Sequence, residues 1–251
     1  MLSYRHAFHA GNHADALKHL ALTYCLSYMN GKDTPYLYVD THAGAGAYDL
    51  GSGYADRNRE WEGGYALLSS GTAGMEPAGA GETPRAERLP AALAAYLAAV
   101  EAFRRAEALP NAYPGSPALA AAIMRKADRA ALFELHPADH ALLAERFAAD
   151  RRVRVLKENG FSSLKALLPP PSRRALVLMD PSYELGGDYA SVRAALAEAL
   201  KRFAGCVVLI WYPVLDRAEA RELPAMLREE AARAGRPWLD EIGRASCREI
   251  A

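Results

Sequence analysis

Residues Asp180, Pro181, Ser182 and Tyr183 form a group that could hold a planar amine. They follow the apolar run at 175–179, which is typical of a buried strand. A carboxylate and main-chain oxygens fixed by a proline would supply two hydrogen-bond acceptors, and Tyr183 would supply an aromatic face. The exocyclic amine of a flipped nucleobase needs these groups. An ordinary turn explains the same four residues, because Asp-Pro is common in turns.

Three other polar sequences also follow apolar runs and could bind a nucleoside-like cofactor. Glycines in DTHAGAG, residues 40–46, would let a ligand approach the main chain, although Asp49 replaces the third glycine of a dinucleotide fingerprint. The Glu134 carboxylate could accept both hydroxyls of a ribose. Asn159, followed by Gly160, could contact an adenine edge. Each sequence alone is also typical of a turn or an exposed strand end. Their order together favours S-adenosylmethionine bound beside an amine substrate.

Apolar runs separated by helical patterns predict the elements that position these groups. Apolar residues recur at helical spacing in 141–149 and 190–203. Strands that alternate with helices predict an α/β fold with a parallel sheet that binds ligands at the carboxyl ends of its strands. The predicted strands are 36–40, 131–135, 152–156, 175–180 and 206–212.

The chain is predicted to carry an insertion between its first two strands. A connection this long indicates an inserted helical subdomain. It contains a short helical pattern around Trp61, a Gly/Pro-rich linker at 69–84 and an Ala-rich helix at 89–107. The predicted segments are 1–49, a leader and the start of the main domain; 50–112, the insert; 113–240, the rest of the main domain; and 241–251, a tail.

The tail, 241–251, is predicted to be non-native. Residues 241–249, EIGRASCRE, correspond to the translation of a common sequencing adapter. Residues 238–242 have the pattern of a sixth strand that is starting. We therefore expect the C-terminal strands of the sheet to be missing, which would leave an unpaired edge.

The leader is rich in histidine and aromatic residues, and Asp15 is its one acid. We predict that it forms a lid facing cofactor and RNA, in which Tyr4 and Arg5 stack on and pair with a nucleotide. Lys18 and His19 would lie on a helix that enters the core. No metal site is expected, because the histidine pair at i, i+4 spacing in this leader has no fixed third ligand.

Ser116 and Pro117 are predicted to begin a helix. Serine is a favoured N-cap residue and proline is favoured in the first turn, so Ser116 would be the cap. The position of this helix, just before the second strand, also makes a cofactor contact by Ser116 possible.

Composition limits the classes of function. Lys+Arg and Asp+Glu both number 30 in 251 residues, so any nucleic-acid contact must come from a local patch. The three cysteines have neither disulfide nor metal-finger spacing, which indicates a reduced, cytoplasmic protein. Neither a signal peptide nor a membrane-spanning run is expected. We therefore predict a soluble protein without a membrane partner, and a monomer by default.

The chain resembles the RlmJ family of bacterial 23S ribosomal RNA adenine-N6 methyltransferases from Met1 to about Asp240. The motifs that carry the resemblance are YRHAFHAGNHADALKH, DTHAGAG, YPGSP, FELHP, the Asn-Gly turn and DPSYE. It implies a Rossmann-like, class I S-adenosylmethionine-dependent methyltransferase fold and methyl transfer to a flipped adenine. The cofactor contacts that it implies are His19, His42, Ser116, Glu134, Asn159 and Gly160. The other implied site residues are Asp180 as the catalytic residue, Pro181 and Tyr183 as its partners, and Tyr4 as an RNA contact.

Two positions depart from the pattern that the family leads us to expect. Ser182 stands where the general motif has a second proline, and Asn159 stands where aspartate is expected. Both changes leave the required hydrogen-bond acceptors in place. Three alternatives stay open from the sequence: a DNA adenine methyltransferase, a small-molecule N-methyltransferase and a non-catalytic RNA-binding module.

Overall fold

The computed structural model describes residues 6–73 and 89–240. Two short 3-10 helices, His6–Phe8 and Glu60–Gly63, accompany the longer elements. In chain order, these elements are α1 (His13–Asn30), β1 (Leu37–Asp40), β2 (Ala47–Asp49), α2 (Gly53–Asn58), α3 (Tyr65–Ala73), α4 (Ala91–Glu107), β3 (Ala112–Pro114), α5 (Ser116–Ile123), β4 (Arg129–Phe133), α6 (Pro137–Phe147), β5 (Val153–Leu156), α7 (Gly160–Leu167), β6 (Ala175–Met179), α8 (Gly187–Arg202), β7 (Val207–Ile210) and α9 (Ala218–Arg233).

Five parallel strands form the central sheet, in the order β5-β4-β1-β6-β7. All five predicted strands and the α/β, Rossmann-like fold class are confirmed. The chain adds β4 and β5 on one side of β1, then crosses to add β6 and β7 on the other. Such a reversal opens a crevice at the carboxyl ends of the strands, where ligands of this class of sheet bind.

Alternating strand residues build two cores on opposite faces of the sheet. Leu176 and Leu178 of β6 pack with Tyr38 of β1 in the core that also contains residues of α1, α4 and α5. Val177 and Met179 belong to the other core, which α7 and α8 cover. A parallel sheet covered on both faces needs apolar residues at every strand position, which explains the continuous apolar run that ends at Met179.

Residues 50–111 leave and rejoin the main domain through a two-stranded antiparallel ribbon. Its strands, β2 and β3, place Tyr48 opposite Tyr113. Within this stretch, Tyr65 of α3 and Tyr96 of α4 are buried in the same core as α1. The helices between β2 and β3 therefore pack on the main domain rather than standing apart from it.

The start of the predicted linker at residue 69 is wrong. Residues 69–73 continue α3, in which the Ser69 and Ser70 hydroxyls donate to the carbonyls of Ala66 and Leu67. Residues 74–84 of that predicted linker lie outside the described residues.

The predicted sixth strand is also not found in its described part. Residues 238–240 have no strand pairing, and the Asp240 carboxylate instead accepts from the Tyr212 hydroxyl and the Arg228 guanidinium. Side-chain bonds thus hold this segment. The predicted tail, 241–251, lies outside the described residues.

Among residues 6–73 and 89–240, no helix combines the length and the apolar character needed to cross a membrane.

Candidate active site

A cavity opens over the carboxyl ends of β1, β4, β5 and β6. It lies at the crevice that the strand order creates. Among the predicted site residues, those that line it are His19, His42, Ser116, Glu134, Asn159, Gly160, Asp180 and Pro181. The predicted RNA contacts, Tyr4 and Arg5, lie outside the described residues. The fold therefore brings together, at one cavity, cofactor and catalytic candidates that are far apart in the sequence.

A buried lysine joins the leader helix to the Asp180 turn. The Lys18 ammonium lies 2.6 Å from Oδ2 of Asp180 and 2.8 Å from Oδ1 of Asp15. Asp15 also accepts from the Gly11 main-chain nitrogen at 2.9 Å and lies 3.1 Å from Nε2 of His6. One cation therefore holds two carboxylates, one from α1 and one from the end of β6.

The charge states of this group follow from burial and from the neighbouring charges. Burial lowers the pKa of Lys18, but the Asp15 and Asp180 carboxylates outweigh it and hold that pKa well above its usual range. Burial likewise raises the pKa of Asp15, but His19, Lys18 and His6 hold it well below its usual range. Lys18 is therefore a cation and Asp15 an anion at neutral pH.

His19 lines the cavity, and one of its two ring nitrogens has no hydrogen-bond partner among the described residues. Its side chain is 1% exposed. Nδ1 lies 3.1 Å from the Tyr113 hydroxyl, whereas Nε2 has no hydrogen-bond partner in the part of the chain that the structure describes. Burial lowers the pKa of His19 to about 4, so the imidazole is neutral at pH 7. An unpaired buried nitrogen at a cavity wall is suited to bind a polar ligand.

Asp40, at the end of β1, is a fully buried carboxylate held by three donors. The Ser116 hydroxyl donates at 2.7 Å and the Tyr38 hydroxyl at 2.8 Å, both to Oδ2. The His42 main-chain nitrogen donates to Oδ1 at 3.3 Å. Burial raises the pKa of Asp40 to about 6, although these hydrogen bonds oppose the shift.

The N-cap prediction for Ser116 is wrong. Ser116 is the first residue of α5, and Gly115 is the N-cap without a side-chain capping bond. The Ser116 hydroxyl instead donates to the Asp40 carboxylate at the end of β1. Pro117 lies in the first turn of the helix, as predicted.

Glu134 directly follows β4, and its carboxylate stabilises the glycine turn that follows β1. Its Oε2 accepts from the Gly44 main-chain nitrogen at 2.8 Å, and its Oε1 accepts from that of His136 at 2.6 Å. Gly44 has φ +61°, a conformation that glycine adopts without strain. Each carboxylate oxygen keeps a second lone pair for a ligand.

Asn159 and Gly160 form the start of α7 at the cavity. Asn159 is the N-cap, and its side-chain oxygen accepts from the Ser162 main-chain nitrogen at 3.1 Å. A Cβ at Gly160 would lie 2.5 Å from the Thr41 carbonyl oxygen, so only glycine allows this close packing of α7 on the β1 turn. Asparagine and aspartate are both favoured N-cap residues, so asparagine can make this hydrogen bond where aspartate was expected.

His42 completes the β1 side of the cavity. Its Nδ1 lies 2.8 Å from the Thr41 hydroxyl, and its ring contacts the Phe161 ring edge-on with centroids 4.7 Å apart. Burial lowers the pKa of His42 to about 4. This histidine is therefore also neutral at pH 7.

Tyr183 does not face the cavity, which corrects the predicted stacking role in this conformation. Its backbone has φ +55°, which turns the side chain inward, and the residue is 3% exposed. The hydroxyl donates to the Trp211 carbonyl at 2.8 Å, and the ring packs against Tyr189 with centroids 4.8 Å apart. Ser182, by contrast, lines the cavity.

Across the described ranges, no group of three or more histidine, cysteine or acidic residues is arranged to hold a metal ion.

The family model described as ribosomal RNA large subunit methyltransferase D, RlmJ, matches residues 33–234 of this chain. That match covers most of the chain and includes the whole central sheet.

The chain belongs to the RlmJ family.

Two curated RlmJ proteins are similar to this chain. Ribosomal RNA large subunit methyltransferase J of Escherichia coli (strain K12) is 45% identical over 223 residues, which are 89% of this chain and 74% of that protein. The protein of the same name from Haemophilus influenzae is 40% identical over 223 residues, which are again 89% of this chain and 74% of that protein. A crystal structure of a Legionella pneumophila protein, assigned to a DUF519 family, has a TM-score of 0.74 and 32% identity. That match covers 88% of this chain and 76% of the Legionella chain.

Sequence reasoning about this RlmJ chain gave no role to Asp15 or Lys18. Their i, i+3 spacing, with His19 one residue further, places all three on one side of a helix. That pattern was a usable signal for a shared site. No sequence pattern indicates that the Tyr38 hydroxyl donates to Asp40, because a tyrosine in an apolar strand is equally typical of a core residue.

Proposed function

We propose that this protein transfers a methyl group from S-adenosylmethionine to the exocyclic N6 amine of an adenine in 23S ribosomal RNA, in the cytoplasm. The observation that carries the proposal is the Asp180 carboxylate. It lies at the cavity, at the end of β6, and one of its oxygens is held by Lys18. Family membership supports the ribosomal RNA substrate.

The residues around the cavity fit a nucleoside-type cofactor. Three features support this: the unpaired Nε2 of His19, the glycine turn that Glu134 braces, and the close packing at Gly160. The residues that would hold the cofactor are His19, His42, Ser116, Glu134, Asn159 and Gly160. S-adenosylmethionine would supply an electrophilic methyl group on a sulfonium centre.

Asp180 would orient the substrate amine. Its Oδ2 is bound to Lys18, and its Oδ1 has no hydrogen-bond partner among the described residues. Oδ1 can therefore accept from an N6 hydrogen, and the Pro181 carbonyl is proposed as the second acceptor. Two acceptors would draw the amine nitrogen toward tetrahedral geometry and aim its lone pair at the methyl group. Asp180 need not be a strong base, because the N6 proton becomes acidic once the methyl group has moved.

Lys18 would fix the direction of the Asp180 carboxylate. Its ammonium donates to Oδ2 at 2.6 Å, which leaves Oδ1 to accept from the substrate amine. Tyr4 and Arg5 are proposed to contact the RNA, and the position of His6, a leader residue that lines the cavity, supports this.

Mass mapping of 23S ribosomal RNA tests the proposed function. The purified protein is incubated with the RNA and methyl-labelled S-adenosylmethionine, and duplex DNA of matched adenine content is the parallel substrate. We expect label on one adenine of the RNA and none on the DNA. Label on duplex DNA alone would instead identify a DNA adenine methyltransferase, and binding of RNA without label would identify a non-catalytic module.

A further inference from the structure

A line of buried polar groups connects the stretch between β2 and β3 to the cavity. The Tyr96 hydroxyl, on α4, lies 2.9 Å from the Tyr113 hydroxyl, on β3. The Tyr113 hydroxyl lies 3.1 Å from Nδ1 of His19. Tyr96 and Tyr113 are 0% exposed and His19 is 1% exposed. Water is thus excluded from these hydrogen bonds, so their donors and acceptors must be matched within the protein.

The direction of the hydrogen bonds follows from the partners of Tyr96. Within the described residues, its hydroxyl has one hydrogen-bond partner, which is Tyr113. If Tyr113 donated to Tyr96, the Tyr96 proton would be buried without an acceptor, which is costly. Tyr96 therefore donates to Tyr113, and Tyr113 donates to Nδ1 of His19. That nitrogen must then carry a lone pair.

A neutral imidazole has one proton, so the proton of His19 is on Nε2. Two further observations agree with this. Oδ1 of Asp15 lies 3.4 Å from Nε2, and its negative charge favours a proton there. The same nitrogen has no hydrogen-bond partner in the described part of the chain, and His19 is one of the residues that line the cavity.

We propose that Tyr96 and Tyr113 are positioning residues that fix the Nε2–H tautomer of His19, so that His19 donates a hydrogen bond to an acceptor group of the methyl donor. The acceptor of matching chemistry in S-adenosylmethionine is the carboxylate of its amino-acid end. The identity of this ligand rests on the proposed function, whereas the tautomer does not. Because Tyr96 is on α4, the stretch between β2 and β3 contributes to the cofactor site without touching the cofactor.

The tautomer can be measured directly in the ligand-free protein. Long-range ¹H–¹⁵N NMR spectra of histidine-labelled protein distinguish a protonated ring nitrogen from one with a lone pair, and the His19 signals are those that disappear in His19→Gln. We expect a protonated Nε2 and an unprotonated Nδ1. A protonated Nδ1 in the parent protein would overturn the proposal, whatever the variants do.

Removal of single hydroxyls tests the role of each tyrosine. Tyr113→Phe removes the donor to Nδ1, and Tyr96→Phe leaves Tyr113 free to donate or to accept. In both variants we expect a mixture of His19 tautomers, and in Tyr113→Phe a loss of S-adenosylmethionine affinity of about three- to tenfold by calorimetry. An unchanged tautomer in both variants, with unchanged affinity, would overturn the positioning role.

Tyr65→Phe is the matched control. Tyr65 is 2% exposed, and its ring contacts those of Tyr96 and Tyr113, but its hydroxyl donates to Glu101 at 2.8 Å. This variant should therefore leave the His19 tautomer and the affinity unchanged. An effect equal to that of Tyr113→Phe would indicate a packing role only and would contradict the proposal.

The same measurements separate the two proposals. If the protein binds no S-adenosylmethionine but His19 is the Nε2–H tautomer set by the tyrosines, the proposed function fails and the positioning role is supported. If the cofactor binds to the parent protein and with equal affinity to both variants, and the His19 tautomer is unchanged in both, the positioning role fails and the proposed function is supported.

Discussion

The Lys18 ammonium lies 2.6 Å from Oδ2 of Asp180, a residue 162 positions further along the chain. It also lies 2.8 Å from Oδ1 of Asp15, one turn before it on α1. The leader helix and the β6 turn are thus joined through one buried cation. Asp180 lines the cavity, and its Oδ1 has no hydrogen-bond partner among the described residues, so it can accept from the proposed substrate amine.

Loss of this cation should destabilise the fold. We expect Lys18→Gln to lower the free energy of unfolding by about 3–5 kcal/mol, because two carboxylates lose their shared partner. Chemical denaturation would measure the change. Arg221→Gln is the control, since the Arg221–Asp216 ion pair is exposed and its loss should change that free energy by less than about 1 kcal/mol. Equally small losses in the two variants would contradict a buried link.

Asp40 should make stability depend on pH in a defined window. Its pKa is raised from 3.8 to about 6 by burial, so between these values the folded protein holds a proton that the unfolded chain has released. The contribution of Asp40 to stability is therefore present at low pH and falls as the pH rises through about 4 to 6, by up to about 3 kcal/mol.

Asp40→Asn removes this titration while keeping a hydrogen-bond acceptor. The free energy of unfolding of the variant minus that of the parent should therefore increase from about pH 4 to pH 6. Denaturation curves of the parent and the variant across this range would measure it. A difference that stays constant with pH for Asp40→Asn would show that Asp40 does not titrate there.

Gly160 should not tolerate a side chain. A Cβ there would meet the Thr41 main chain at 2.5 Å, so we expect Gly160→Ala to cost about 1–3 kcal/mol of stability and to weaken S-adenosylmethionine binding. Gly187→Ala is the control, because a Cβ at Gly187 has no neighbour within 4 Å. Thermal unfolding and calorimetry would compare the two. A normal affinity and a normal melting temperature for Gly160→Ala would remove the argument for close packing at the cavity.

The sheet could be predicted from the sequence because strand periodicity is local. Each apolar run, such as 175–179, is visible in the local sequence, and a parallel sheet brings the carboxyl ends of its strands to one edge. Glu134 and Asp180 could therefore be placed at one cavity without knowledge of their distance, whereas Asp40 is buried beneath the lining residues Thr41 and Ser116.

Contacts between distant segments could not be predicted in this way. Ser116 has the local sequence of an N-cap, but a buried acceptor on another strand, Asp40, takes its hydroxyl. Tyr183 follows a motif that favours an outward ring, but the Trp211 carbonyl and the Tyr189 ring hold it inside. In both cases tertiary partners, which no local pattern records, outweigh the preference of the local sequence.

The role of the Asp180 carboxylate can be tested by measuring methyl transfer and cofactor binding in the same variant. Asp180→Ala removes the acceptor for the substrate amine. Asp216→Ala is the control, because it removes an exposed carboxylate outside the cavity. We expect Asp180→Ala to lose at least about a hundredfold in the rate of adenine methylation, while its affinity for S-adenosylmethionine stays within about threefold of the parent. Methylation of 23S ribosomal RNA by Asp180→Ala at the parental rate would rule out the proposed role of Asp180.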